Sequence, residues 1–590
     1  MRFLIFLLFF TSISFGQTTS YNISFPNAEH HEAKIMVNFP EIGQDSLVVR
    51  MSRTSPGRYA LHEFAKNVYG VKAKNAAGET LKITRPDPYS WLITGHDGTV
   101  NLEYTLFGNR ADGTYSQIDQ SHAHLNIPAT FMYAEGLEER PIEVTFETEA
   151  FPDWKIATQL KHEKNNTYSA PDLHYFMDSP TELSDHEVRQ FGLDGQTIKF
   201  ALHGPASKEE FDQYFKQVKD IVTQQKAVFG ELPKFDFGEY VFIACYLPHA
   251  SGDGMEHRNS TILTSSRTLI EGGIDRNIGT VAHEFFHAWN VERIRPQDLE
   301  PFDFTAADMS GLLWFAEGFT SYYTPLTLVR SGIITPEEYA EGLNSTFNYV
   351  WNSPAREYFN PIEMSYQAPF VDAATSVDPV NRENTFISYY SYGSMLGLAL
   401  DLKLRQKGQN LDDFMKLLWE QFGEKEKPYT LKELEAALAQ YAGENFASDY
   451  FENYVYDSKM PDFEDLFKTV GLKIEKASKN AFFGTSIQAE EDAIIISGNP
   501  GMNTPAYKGG LDRGDRIISV NGIKIKSEEV WKETIENTNV GDILNLEIER
   551  FGNNLNKSVT LGQDPKYKIS IDEKASKKAV KAREEWLSGK

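Results

Sequence analysis

Val281-Ala282-His283-Glu284-Phe285-Phe286-His287-Ala288-Trp289-Asn290 decides how this chain is read. On a helix, residues four apart share one face, so His283 and His287 can offer two imidazole nitrogens to one zinc ion. Glu284 then falls beside the metal, where a carboxylate can act as general base. A catalytic zinc needs a third protein ligand and one open position, and that ligand usually comes from a separate element. Trp314-Phe315-Ala316-Glu317-Gly318-Phe319-Thr320-Ser321-Tyr322-Tyr323 supplies a candidate. Leu312, Phe315, Phe319 and Tyr322 recur at helical spacing, which predicts a second amphipathic helix that can direct Glu317 toward the first.

Two helices carrying a His, His, Glu set form the gluzincin arrangement. The stretch from His283 to Asn290, Arg293-Ile294-Arg295-Pro296 and Trp314 to Tyr323 resemble the glycyl aminopeptidase family of zinc peptidases, gluzincins that often carry a C-terminal PDZ domain. Ser24-Phe25-Pro26-Asn27-Ala28 with His30-His31-Glu32-Ala33 resembles that family's N-terminal opening, and Pro301-Phe302-Asp303-Phe304 continues its catalytic core. The resemblance covers nearly the whole chain after the leader and implies a Zn2+ cofactor.

Two more groups take roles from such resemblance. Asp253-Gly254-Met255-Glu256-His257 is similar to the GxMEN element of aminopeptidase-type gluzincins, which implies substrate binding by Gly254, Met255 and Glu256, the last receiving the free α-amino group. The match departs at both ends, with Asp253 in place of glycine and His257 in place of asparagine. Ser388-Tyr389-Tyr390-Ser391-Tyr392-Gly393 resembles the family's Tyr-x-Lys-Gly element, with Tyr390 on the tyrosine that donates to the oxyanion. Tyr392 replaces the lysine, so the register leaves Tyr389 as the alternative donor.

Composition supports several folded domains. The chain has 590 residues, 41% hydrophobic and 13% aromatic, which exceeds what one core usually organises. A formal charge of −26 argues against nucleic acid as a partner, because phosphate binding needs a basic face. Met1-Arg2, the apolar run Phe3 to Phe10 and small residues up to Gly16 resemble a secretory signal peptide cut before Gln17. The mature chain is therefore expected across the membrane, in the periplasm, with no membrane span once the leader is removed. Cys245 is the single cysteine, so no disulfide framework exists. Its setting in Val241-Phe242-Ile243-Ala244-Cys245 reads as a buried strand thiol without a reactive role.

The expected fold is multidomain α+β. Residues 17–195, after the leader at 1–16, alternate apolar and polar positions, as in Ala33-Lys34-Ile35-Met36-Val37, and read as a β-sandwich-like N-terminal domain. Within it His122 and His124 share a strand face, and are read as a metal-free pair because no third ligand is evident near them in sequence. Residues 196–461 shift to helical periods and, by resemblance, form a thermolysin-like, mostly helical catalytic domain. Residues 462–565 contain Gly509-Gly510-Leu511-Asp512-Arg513-Gly514-Asp515-Arg516-Ile517-Ile518-Ser519-Val520-Asn521-Gly522, which resembles a PDZ domain. There Phe482-Phe483-Gly484-Thr485 is similar to the loop whose amides hold a peptide's C-terminal carboxylate. Residues 566–590 read as a charged tail, helix-like from Lys574 to Lys590 and a solvated packing element rather than a binding motif.

These residues favour a zinc aminopeptidase that releases small N-terminal residues, with glycine and alanine preference implied by the family alone. An endopeptidase of the same fold is the alternative if Glu256 does not select the amine. A third reading makes the chain a PDZ-based binding protein with an inactive zinc site, against which the intact His283, Glu284, His287 and Glu317 set argues.

Overall fold

The computed structural model describes residues 17–371, 378–490 and 493–589. The leader expected at 1–16 lies outside the described residues. The chain divides into two compact units, the first formed by residues up to 212 with 234–274 and 302–307, the second by 213–233, 275–301 and 308–590.

In the first unit, alternating sequence has become sheet. A seven-stranded sheet contains Thr19–Asn27, Glu32–Phe39 and Val100–Phe107 as neighbours, and Val100–Phe107 buries every second side chain until its end. A four-stranded sheet built on Ser46–Arg50 and Ser90–Thr94 contributes Leu47, Val49 and Ile93 to the same core as Ile23, Ile35 and Leu102. Period-two burial on both sheets is what the sandwich-like reading required. A second four-stranded sheet includes β1 (His122–Leu125) beside β2 (Thr181–Ser184).

The helical periods expected from residue 196 appear in the helix Lys208–Phe229, which holds Glu209 to Phe215, but strands flank it. A five-stranded sheet is built from Glu187–Leu193, β3 (Gln196–His203), β4 (Glu239–Tyr246), β5 (Asp253–His257) and β6 (Ser260–Ser265). β4 is paired in parallel on both sides and is buried from Tyr240 to Tyr246, so it reads as an unbroken apolar run rather than an alternation.

The second unit is helical up to the PDZ segment. α1 (Gly273–Phe286) leads into it, followed by α2 (Leu313–Arg330), α3 (Pro336–Asn352) and α4 (Tyr389–Gln406). Thr335 caps α3 through a capping box with Glu338, and Pro336 occupies its first turn. α2 carries little amphipathic contrast because it is buried nearly all round, from Leu313 to Thr320 without interruption. A separate small core of Phe483, Ile494, Ile517, Val520, Trp531, Leu546 and their neighbours belongs to the strands around α5 (Glu528–Glu536).

The ends of that small domain are tied together. Leu472–Lys476 pairs antiparallel with Tyr567–Ile571, and Ala477 N–H donates to Lys566 O at 2.9 Å. The side-chain oxygens of Asn344 and Asn348 on α3 accept from Ile569 N and Tyr567 N. The tail is helical, α6 (Lys577–Ser588), but it is not wholly solvated. Trp586 is fully buried, and its Nε1–H donates to the Tyr322 hydroxyl of α2 at 3.0 Å. A helix-like packing element was expected here, and solvation is less than expected because the charges of 577–585 mask an apolar face ending in Trp586 and Leu587. Among the described residues, no helix is long and apolar enough to cross a membrane.

Candidate active site

His283 lies in the last turn of α1, and His287 in the turns that extend it. Their Nε2 atoms are 3.2 Å apart. Glu317, one turn into α2, brings Oε2 to 3.2 Å from His287 Nε2 and 3.6 Å from His283 Nε2. A tetrahedral zinc with ligand distances of about 2.0–2.1 Å spaces its ligand atoms about 3.3 Å apart, so this triangle has the size the ion requires. Three polar atoms so placed in a buried site, two nitrogens and a carboxylate oxygen, make a donor set suited to zinc with a fourth position left for chemistry.

Both rings are aimed from behind. His287 Nδ1–H donates to the carbonyl of Asn290 at 2.6 Å. His283 Nδ1 contacts Thr324 Oγ1 at 3.2 Å, and since that hydroxyl donates to Thr320 O, it accepts from the ring. These contacts fix the tautomer that turns each Nε2 toward Glu317. Asn290, fully buried, also donates from Nδ2 to Ala316 O at 3.0 Å and so anchors the end of the α1 segment to α2. Reasoning from sequence missed Thr320 and Thr324. Their signal is that they follow Glu317 by three and seven residues and share its helix face.

Electrostatics fit the same geometry. Burial raises the Glu317 carboxyl, but the His287 charge and hydrogen bonds from both rings outweigh it and hold the group well below the usual carboxylate range. Burial pushes the His283 imidazole down, toward the neutral form that ligates metal. Glu284 is buried, 5% exposed, in the same helix.

Of the tyrosines, Tyr390 is half-buried in the first turn of α4, with its ring 6.0 Å from that of His283. Tyr389 is buried, and its ring lies 4.8 Å from that of Tyr390, tilted by 31°. Tyr392 is fully buried, and burial pushes its hydroxyl up to about 12.

Gly254, Met255 and Glu256 lie on β5 in the first unit, where Met255 and Glu256 are buried. The two departures from the family pattern have local partners. Asp253 pairs with Arg58 and accepts from Gly113 N, while His257 Nδ1 meets Asp178 Oδ1 at 2.8 Å. Gly57, in a left-handed conformation, abuts β5 so closely that a Cβ there would strike Met255 Sδ and reach 3.0 Å from Glu256 Oε2.

In the small C-terminal domain, Phe482 ends a short strand, and Phe483 turns inward to meet Trp531 edge-on at 4.8 Å. Gly484 has φ +101 and presses on Thr504, and Thr485 Oγ1 donates to Gly498 O. The adjoining strand Ile487–Glu490 stands at the end of its sheet and pairs with Ala493–Ile496.

Comparison with known proteins agrees with this architecture. Residues 20–185 match the peptidase M61 N-terminal domain, 276–396 the M61 glycyl aminopeptidase domain and 481–561 the PDZ domain. Among curated proteins no match was found. Among solved structures, an aminopeptidase N family protein from Idiomarina loihiensis has the same fold, with TM-score 0.86 and 23% identity over 97% of this chain and 100% of that one. An M1 zinc metallopeptidase from Deinococcus radiodurans aligns with TM-score 0.42 and 13% identity, over 76% of this chain and 95% of that one.

Proposed function

We propose that this chain, a zinc metallopeptidase of the M61 glycyl aminopeptidase family, releases glycine and alanine from the N-termini of peptides. The observation that supports it most is the triangle of His283 Nε2, His287 Nε2 and Glu317 Oε2, with Glu284 buried one residue from the first ligand. Zinc bound by that set would supply Lewis acidity toward a water and the scissile carbonyl.

The chain's own groups do the rest. The Glu284 carboxylate takes the proton of the attacking water as the new C–O bond forms, and returns it to the amine as the C–N bond breaks. The Tyr390 hydroxyl donates to the oxygen on which negative charge grows, so it stabilises the transition state more than the substrate. Glu256 receives the α-ammonium, a charge-assisted contact that only a free N-terminus can make. The PDZ domain binds a peptide or protein C-terminus by strand addition at Ile487–Glu490, with amides near Phe483 and Gly484 holding the carboxylate. The leader at 1–16 directs the enzyme across the membrane, to the periplasm.

The testing experiment compares hydrolysis of Gly-, Ala- and Leu-initiated peptides, each free and N-acetylated. Preferred cleavage of the free Gly and Ala peptides is expected. Equal cleavage of free and acetylated peptides supports an endopeptidase instead.

A further inference from the structure

The sequence gives no hint that His122, Glu182, His203 and Cys245 belong together, yet they meet in the first unit. His122 and Glu182 lie on one face of the paired strands β1 and β2, where Glu182 stands opposite His124 and Ser184 opposite His122. His203 and Cys245 stand opposite each other near the ends of the parallel strands β3 and β4. All four are buried, at 0%, 1%, 6% and 0% exposure, and one ligand atom from each lies within 4.8 Å of all the others.

Hydrogen bonding alone does not account for this cluster. Glu182 Oε1 is 3.1 Å from His122 Nδ1 and 3.0 Å from His203 Nδ1, and its Oε2 is 3.0 Å from His124 Nδ1, so three imidazoles crowd one carboxylate. The His203 contact has the distance of a hydrogen bond but not its direction, and both His203 Nδ1 and His122 Nε2 are buried without a hydrogen-bond partner. Asp119 Oδ2 stands 3.5 Å from His122 Nε2. Burying such nitrogens unsatisfied is costly, and native structures rarely keep them so. His122 Nδ1 and His124 Nδ1 each bond to Glu182, but His122 Nε2 and His203 Nδ1 are left over in a cluster whose four ligand atoms lie within 4.8 Å of one another, a spacing that ligands around a common centre have.

We propose that these four side chains form a second zinc site, structural rather than catalytic. Two imidazoles, a thiolate and a carboxylate make a mixed N, S, O donor set that suits zinc and disfavours magnesium or calcium, which take oxygen ligands. Four protein ligands leave no open position for a substrate, the mark of a structural site. His124, held between Glu182 Oε2 and the carbonyl of Asp112 at 2.9 Å, orients the carboxylate from behind. The ion joins β1 and β2 to β3 and β4, two sheets whose ligands are separated by as much as the interval from 122 to 245.

The single cysteine makes the test selective. The catalytic set contains no sulfur, so any zinc–sulfur scattering in the full-length chain comes from Cys245. Protein purified without thiol reductants should hold two zinc ions per chain, and zinc-edge X-ray absorption should contain a sulfur shell at about 2.3 Å. Cys245→Ala should lower the count to one and erase that shell, whereas His287→Ala should lower the count to one and keep it. One or two zinc ions per chain in the parent protein without a sulfur shell overturn the proposal, and that result does not depend on a variant folding.

Discussion

Gly318 of α2 and Gly393 of α4 meet where the two helices cross. A Cβ on Gly393 would run into the Trp314 carbonyl and come within 2.7 Å of Gly318 Cα, and one on Gly318 would reach 2.9 Å from Tyr389 O. The contact links two segments that look separate in sequence, because Gly318 follows Glu317 and Gly393 lies three residues past Tyr390. Close backbone approach at this point brings the helix that carries Glu317 against the helix that carries Tyr390.

Gly393→Ala should therefore damage stability and activity together. Overpacking against backbone that cannot move aside costs about 1–3 kcal/mol or more. Thermal unfolding measures it, and an unchanged midpoint would mean that the helices separate without penalty.

The two adjacent tyrosines should differ in kind. Tyr390→Phe should lower kcat about a hundredfold with little change in KM, the signature of a lost transition-state donor. Tyr389→Phe removes a hydroxyl from a buried ring and should mainly affect stability. A larger kcat loss in the Tyr389 variant would reassign the donor.

Glu256→Ala should abolish most activity on free peptides while leaving zinc content unchanged. The loss reflects a missing charge-assisted contact, so it should appear as a collapse of discrimination between free and N-acetylated peptides. Retained discrimination would remove Glu256 from the amine site.

The boundaries of the PDZ domain matter for its test. Cutting the chain after 462 would also remove Tyr567–Ile571 and the buried Trp586, which pack on α3 and α2. Replacing 478–565 by a short linker instead should preserve the helical core, because Ala477 and Lys566 are already hydrogen-bonded neighbours. Dipeptide hydrolysis should persist in that variant while long peptides lose rate, since a second binding point raises their local concentration. An unchanged ratio of the two rates would mean that the domain does not recruit substrate.

What was legible in the sequence was local. His283, Glu284 and His287 are fixed by one helical period, and Glu317 by the pattern of its own helix, so their meeting could be anticipated. Val241 to Cys245 announced a buried strand in the same way. The cluster around Glu182 could not be read, because its members sit on four strands, with partners brought opposite one another by register rather than spacing. His122 and His124 therefore looked like a pair without a third ligand. Trp586 was hidden by a different cause, since one buried indole in a lysine-rich helix leaves composition charged while deciding where the helix docks.

Glu284 is proposed to move a proton and not to hold metal. Zinc content and turnover of Glu284→Gln, measured on the same preparation, separate those roles. Zinc equal to the parent protein with turnover reduced by about two orders of magnitude or more is the expected result, and near-normal turnover with zinc retained would contradict it.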